Sequence, residues 1–426
     1  MQILIIGSGG REHTLCWKLA QSSYNNQLYI TPGNAGTAQF GTNLPIAAND
    51  VNGIVAACIT HHITMVVVGP EEPLVLGIVD LLAANELTTH IQVIGPPKFA
   101  AQLEGSKSFA KAFMHKHNIP TAAYKEFSKT TFDEGMDYIK NHTLPIVLKA
   151  DGLAGGKGVI ICGTHIEAMA EFEMMIMYSK FGDAGNKVVI EQFLDGQEFS
   201  VFAITDGKHY KILPIAKDYK KIGIGDTGLN TGGMGAVSPV PFVTDALYSK
   251  ALQQIIIPTI KAFEAENMEY KGFVFFGLID VNGEPMVIEY NCRLGDPETE
   301  VVLPRLNNDL LEIFIKLGEG NLDTVTIETA SEYAATIVVA SGGYPSYYNV
   351  GYTVKGLTTA NDEATTVFVS GAVQEGDNVV TTSGRVLAIT SLASTITGAV
   401  TKSKAALHNV SFEEMYYRTD IGYEFE

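Results

Sequence analysis

Four short apolar runs in the first hundred residues each end at a glycine or proline turn, and this rhythm constrains the fold more than any other feature. Residues 2–6 run into Gly7-Ser8-Gly9-Gly10, and residues 27–30 into Pro32-Gly33-Asn34. Residues 63–68 stop at Gly69-Pro70, and residues 91–94 at Gly95-Pro96-Pro97. Helical patterns follow the first run, from about 11 to 20, and the third, to about 87. Continuously apolar strands alternating with helices predict a parallel sheet covered on both faces.

The middle of the chain has a different rhythm. A helix is expected over 106–117, then strands over 146–149, 158–162, 187–193, 198–205 and 210–216, with a helix over 166–178. Residues 272–280 and 285–291 read as a strand pair joined by Asn282-Gly283. Neighbouring strands with turn signals predict an α+β unit with largely antiparallel sheet. A polar stretch, 318–331, reads as a linker. Beyond it, strands over 333–340, 366–373 and 379–392 predict a small β-rich C-terminal domain. The whole is thus an α/β and α+β multidomain chain, divided at 1–101, 102–325 and 326–426.

Composition narrows the function. With 426 residues, 46% apolar and 18% charged, the chain can fill several cores. Its net charge of -18 speaks against a nucleic-acid surface, while leaving room for a locally positive pocket. Cys16, Cys58, Cys162 and Cys292 form no C-x-x-C pair, which suits a reducing compartment. No apolar stretch reaches membrane-spanning length, and the N-terminus lacks the basic start of a signal peptide. A cytoplasmic protein is expected, with no nucleic acid and no membrane as partner.

Three motifs carry chemistry. Gly7–Gly10 follows a strand and opens a helix, a setting that favours a phosphate or sugar ligand over a purely structural turn. The dinucleotide fingerprint wants a further glycine where Glu12 stands. The loop Asp151-Gly152-Leu153-Ala154-Gly155-Gly156-Lys157-Gly158 lies between two strands, so it is no Walker-A loop. Its bare amides could fold over a triphosphate, or it could be a plain hairpin. Lys149, at the end of the preceding apolar strand, needs an anion or exposure. Glu289 and Asn291 share one strand face and offer two hard oxygen ligands suited to Mg²⁺, although a solvated strand face would look the same. The histidines show no metal spacing, and no G-x-S-x-G elbow is present.

Taken together, these segments resemble the phosphoribosylamine–glycine ligase family of the ATP-grasp superfamily nearly end to end. The matching segments are GSGGREH at 7–13, PGNAGT at 32–37, VVVGPEEPLV at 66–75, GPPKFAAQLEGSK at 95–107 and KADGLAGGKGV at 149–159. GDTGLNTGGMGAVSP at 225–239, the highly specific RLGDPETE at 293–300, SGGYP at 341–345 and YRTDIG at 417–422 complete the set. The resemblance implies a Rossmann-like N-terminal domain, a central ATP-grasp domain with a mobile lid over about 118–188, and the small C-terminal domain. It implies ATP with Mg²⁺ or Mn²⁺, and ligation of glycine to 5-phosphoribosylamine through glycyl phosphate, by a monomer or weak homodimer. Another ATP-grasp ligase or carboxylase is the nearest alternative, and a dinucleotide-dependent oxidoreductase or an inactive scaffold are more distant ones.

The same resemblance implies residue roles. Lys107 and Lys149 would contact ATP phosphates, with Gly155, Gly156 and Lys157 in the loop closing over them. Glu191 and Leu194 would meet adenine through backbone groups, and Glu198 the ribose. Glu289 and Asn291 would hold the metal, with Asp280 as a weaker candidate. Arg293 would face the glycine carboxylate, and Gly9, Gly10 and Asn34 would line the phosphoribosylamine site. Arg293, Lys149 and Asp218 are the catalytic candidates. The chain departs from the family pattern at Tyr219 and Lys221, where histidine and arginine are usual, which puts roles for 217–221 in doubt.

Overall fold

A computed structural model describes residues 1–24, 26–155 and 157–425. Its N-terminal sheet has five parallel strands in the order Thr42–Asn43, Gln27–Pro32, Gln2–Gly7, Met65–Val68, Gln92–Ile94. Ile3, Leu4, Ile5 and Ile6 are all fully buried, as strands covered on both faces require. The order reverses beside Gln2–Gly7, so the ends of that strand and of Met65–Val68 open a crevice at the switch point. The helical stretch to about 87 is broken at Gly77, whose φ of 92° separates Glu71–Leu76 from Ile78–Ala84. A helix at Val51–Thr60, capped by the Asp50 side chain, ends at His61, where the pair His61-His62 suggests a helix end.

Two antiparallel four-stranded sheets form the centre. One is ordered Tyr124–Ser128, Lys187–Gln192, Ile146–Ala150, Val159–Cys162. Helices Phe132–Lys140 and His165–Ile176 cover it, and Phe127, Ile139, Leu148, Phe172 and Ile190 give it a core of its own. The other is ordered Tyr210–Ile212, Gln197–Thr205, Gly272–Val281, Glu284–Asn291. The strand expected over 210–216 ends at Ile212, because Pro214 has no N–H for the ladder. Asn282 and Gly283, with φ of 54° and 84°, make the expected tight turn.

A fourth sheet is ordered Lys217–Asp218, Gly235–Ser238, Tyr333–Ser341, Arg385–Ala393, Thr365–Val369, with Met415–Tyr417 as a sixth strand beside Tyr333–Ser341. Its first two strands come from the middle of the sequence, so the C-terminal sheet is not built from 326–426 alone. The runs expected at 366–373 and 379–392 each split in two. Gly371 turns so tightly that a Cβ there would lie 1.8 Å from the Ser383 hydroxyl. The stretch 318–331 is tethered rather than free: Leu322 is buried, and Thr329 bridges Leu306. All four cysteines are buried, unpaired thiols. Among the described residues no helix is long and apolar enough to cross a membrane.

Candidate active site

The glycine loop is anchored at its base and open at its tip. The Asp151 carboxylate accepts from the Ser108 amide at 2.6 Å, and the Asp151 carbonyl from the Lys107 amide at 3.0 Å. This ties the loop to the start of helix Lys107–Lys116, which Ser106 caps. Lys107 Nζ donates to the Gly152 carbonyl at 3.2 Å. At the tip, Gly155 has φ of 55° with nothing around its missing Cβ, and Lys157 is exposed. Gly156 lies outside the described residues. Lys149 is buried, its Nζ 3.2 Å from the Ile288 carbonyl and 3.1 Å from a Glu191 oxygen. Leu194 lies half-buried just past the end of strand Lys187–Gln192.

Across from the loop stands strand Glu284–Asn291. Glu289 is paired with Gly277 in the neighbouring strand, where the absence of a side chain leaves room for it. Tyr290 points the other way, into the core, where its hydroxyl meets Thr259 at 2.9 Å. Glu289 and Asn291 therefore do share a face. Among the described residues the Glu289 side chain makes no hydrogen bond or ion pair. Burial by itself would raise its carboxyl, but Lys220, Lys149, Lys107 and Arg293 hold it below its ordinary value. Asn291 Oδ1 accepts from Arg293 at 3.2 Å, and its Nδ2 is buried without a hydrogen-bond partner among the described residues. An anionic carboxylate and an amide oxygen fit a hard divalent cation that takes its remaining ligands from substrate. Among the described residues no group of three or more His, Cys, Asp or Glu forms a self-sufficient metal cage. Asp280, the weaker metal candidate, sits at the far end of this hairpin and caps its turn by accepting from the Gly283 amide at 2.7 Å. The turn, not a metal, explains it.

Arg293 is held by two acids that the sequence reading did not single out, Glu104 at 2.8 Å and Glu71 at 3.3 Å. Glu104 also accepts from the Cys292 amide at 2.7 Å. Burial pushes its carboxyl up to about 7, although Arg293 pulls the other way. Nearby, Lys220 pairs with Glu198 at 2.6 Å. Burial would lower the Lys220 ammonium, but Glu198, Asp218 and Glu289 raise it well above its ordinary value. Burial raises the carboxyls of Asp218 and, to about 8, Glu298. The departure at Tyr219 is structural: its ring is buried in the C-terminal core, and its hydroxyl bonds Glu424 and the Gly422 amide, both at 2.9 Å.

On the N-terminal side the glycine turn is braced from below. Glu12 is buried with its carboxylate against Gly7 and Gly69, inside the switch-point crevice, and accepts from the Gly9 amide at 2.5 Å and from Arg11 at 2.6 Å. It fills the space where a dinucleotide fingerprint needs bare backbone. Gly10 packs against Glu300, whose buried carboxyl burial and Asp296 raise well above its ordinary value. The Asn34 side chain is fully engaged within the protein. It donates to the carbonyls of Ser8 and Val369, both at 2.8 Å, and accepts from the amides of Gly36 and Thr37. The structure therefore brings Lys107, Lys149, Glu191, Asp218, Glu289, Asn291 and Arg293 into one electrostatic cluster. Asn34 lies outside that cluster, and its side chain braces the N-terminal turns against Val369. Glu71 and Glu104 lay within recognised segments, but their pairing with Arg293 spans 222 and 189 positions, which no local pattern encodes.

Two antiparallel sheets, one carrying a glycine hairpin with Lys107 and Lys149 at its base, are the arrangement of an ATP-grasp protein. Distant solved structures share this fold. A biotin carboxylase domain from Hydrogenobacter thermophilus superposes with TM-score 0.74 at 16% identity, over 98% of this chain and 91% of that one. Closer relatives fix the family. The N, ATP-grasp (A) and C domains of phosphoribosylglycinamide synthetase match residues 1–104, 105–299 and 334–424. A phosphoribosylamine–glycine ligase from Pasteurella multocida is 44% identical over 99% of this chain and 98% of its own length. The crystal structure of the Thermotoga maritima phosphoribosylamine–glycine ligase is 33% identical, with TM-score 0.85 over 99% and 100%. The chain belongs to the phosphoribosylglycinamide synthetase family.

Proposed function

We infer that this chain joins glycine to 5-phosphoribosylamine with ATP, giving glycinamide ribonucleotide, ADP and phosphate, in the cytoplasm. The full-length likeness to the Pasteurella multocida ligase carries this reading, and the cluster around Glu289 supplies the chemistry.

In the proposed mechanism a glycine carboxylate oxygen takes the γ-phosphoryl group, and ADP leaves. The amine of 5-phosphoribosylamine then attacks the carbonyl carbon of glycyl phosphate, and the C–O bond to phosphate breaks. Lys107 and Lys149 offset the charge on the transferring group, with the amides of the glycine loop above it. Glu191 and Leu194 meet adenine through their main chain, and Glu198 the ribose. Arg293 binds the glycine carboxylate by exchanging its long contact to Glu71 for the substrate. Asp218, whose carboxyl burial raises, takes the proton that the amine loses. Gly9 and Gly10 form the floor for 5-phosphoribosylamine, and Asn34 keeps that floor in place. Mg²⁺ or Mn²⁺, held by Glu289 and Asn291, would supply charge neutralisation on the phosphates. Closure of the loop keeps water from the acyl phosphate.

A coupled ADP-release assay with phosphoribosylamine generated in situ tests the reading. ADP is expected only when ATP, Mg²⁺, glycine and phosphoribosylamine are all present. Rapid ADP formation with bicarbonate in place of glycine would overturn it in favour of a carboxylase.

A further inference from the structure

Between the glycine-loop sheet and helix Lys107–Lys116 lies a buried triad that the mechanism above uses only in part. Glu191 Oε2 is 2.9 Å from Lys111 Nζ and 3.1 Å from Lys149 Nζ. The three side chains are 4%, 2% and 6% exposed, respectively. The other carboxylate oxygen, Oε1, is buried without a hydrogen-bond partner among the described residues. Both ammonium groups therefore crowd onto a single oxygen.

The remaining hydrogen-bonding partners of the two lysines are neutral, and the one further carboxylate that Lys149 feels, Glu289, is shared with Lys220, Lys107 and Arg293. Lys111 donates to the Thr121 hydroxyl at 2.8 Å and to the Ala122 carbonyl at 3.4 Å, and its Nζ stands 5.7 Å from the centre of the Tyr124 ring. Lys149 donates to the Ile288 carbonyl. Two ammonium groups against one carboxylate leave a surplus positive charge in a buried setting, which is costly until an anion completes it. Were Glu191 shared with Lys149 alone, that pair would be neutral and Lys149 would have little charge left to offer. Lys111 changes the balance. It is enclosed by a hydroxyl, a carbonyl and a ring, whereas Lys149 lies on the strand that runs directly into the glycine loop.

We propose that Lys111 is a positioning residue for the nucleotide: by holding Glu191, it leaves the surplus charge of the triad on Lys149, facing the phosphates. This rests on the reading that Lys149 meets the ATP phosphates.

The arrangement has a pH signature. Burial lowers the Lys111 ammonium to about 8. The groups that face it are Glu191 from strand Lys187–Gln192, Lys149 from strand Ile146–Ala150, and Tyr124 from strand Tyr124–Ser128. Burial raises the Tyr124 phenol above its ordinary value, so it stays neutral throughout. As pH rises through about 8, Lys111 loses its proton, Glu191 turns wholly to Lys149, and the nucleotide loses its attraction.

The test uses the full chain with Lys111→Met, Lys111→Arg, Lys149→Met and the double Met variant, reading the Kd of a non-hydrolysable ATP analogue with Mg²⁺ and the KM for ATP and for glycine. Lys111→Met is expected to weaken nucleotide binding about tenfold and leave the glycine KM within about twofold. Lys111→Arg, which keeps the charge, should recover binding to within about threefold. In the Lys149→Met background, Lys111→Met should add less than about twofold, because the surplus charge then has no outlet. Unchanged nucleotide affinity in Lys111→Met alongside weakened binding in Lys149→Met would overturn the proposal alone, as would additive effects. Unchanged affinity in Lys149→Met would overturn the phosphate role of Lys149 itself, and the proposal with it. If Lys111→Met does not fold, the comparison of wild type with Lys111→Arg decides. Wild-type binding should weaken through pH 8 while Lys111→Arg stays level, and an identical alkaline fall in both would overturn the proposal.

Discussion

Glu12 and Glu104 are both buried carboxylates, and their surroundings set them to different uses. Glu12 accepts from the Gly9 amide and Arg11 and braces a turn. Glu104 pairs with Arg293 and the Cys292 amide, yet burial still pushes it up to about 7 from an ordinary 4.5. An acid whose folded pKa is raised holds its proton more tightly when folded. Its contribution is therefore most favourable below pH 4.5 and is lost as pH climbs towards 7. Glu104→Gln cannot ionise, so wild-type stability relative to this variant should fall between pH 5 and 7.5, measured by urea unfolding at each pH. A constant difference would mean that Arg293 fully compensates the buried charge. Single residues were legible in the sequence where local geometry fixes them. Glu289 and Asn291 follow from strand alternation, and Lys149 from a charge in an apolar strand. Lys111 and Glu104 were not legible, because their chemistry comes from partners about 80 and 190 positions away.

Among the elements, strands bounded by strong turn signals were the most readable. The hairpin at Asn282-Gly283 and the strands flanking the glycine loop lie within a residue or two of their expected positions. Strands interrupted by a close backbone crossing, as at Gly371, were read as single runs, because the crossing depends on a distant segment. The glycine loop combines both conditions. Its base is tied down by Asp151 and by the Gly152 amide on the Ala184 carbonyl at 3.3 Å. At its tip, Lys157 is exposed, and among the described residues its amide has only a local bond, to the Ala154 carbonyl at 3.0 Å. Few packing contacts and a left-handed glycine make such a tip the first part to open. Trypsin is expected to cut after Lys157 in the free protein, and Mg-ATP or a non-hydrolysable analogue to protect that bond, followed by mass spectrometry of the fragments. Glycine alone should give no protection, because its proposed site is at Arg293. Equal cleavage with and without nucleotide would mean a fixed hairpin, and the lid would have to be abandoned.

At the scale of the whole molecule, the division into three units was legible, but not how they interlock. The sequence places 217–218 and 235–238 in the middle, and the fold gives them to the C-terminal sheet. The N-terminal turn is in turn latched to that C-terminal unit. Asn34 donates to the Val369 carbonyl, the Ala35 amide bonds Ala372 at 3.0 Å, and the Val369 amide donates to His13 Nδ1 at 2.7 Å. Burial lowers His13 to about 4, so it stays a neutral acceptor and serves the latch rather than proton transfer. Both the proposed phosphoribosylamine floor and the C-terminal edge therefore depend on Asn34, whose side chain is already fully hydrogen-bonded among the described residues. Asn34→Ala would leave the Ser8 and Val369 carbonyls without this donor and the Gly36 and Thr37 amides without this acceptor. The expected loss is about 1–3 kcal/mol of unfolding stability, the usual penalty for buried polar groups left unpaired. Since the latch holds the proposed floor and not the lysines proposed to meet ATP, the KM for phosphoribosylamine should rise several-fold more than the KM for ATP. Urea unfolding and steady-state kinetics on the same preparation check both halves. An equal rise in the two KM values would show that the damage is global, and an unchanged unfolding midpoint would show that Asn34 is no latch at all.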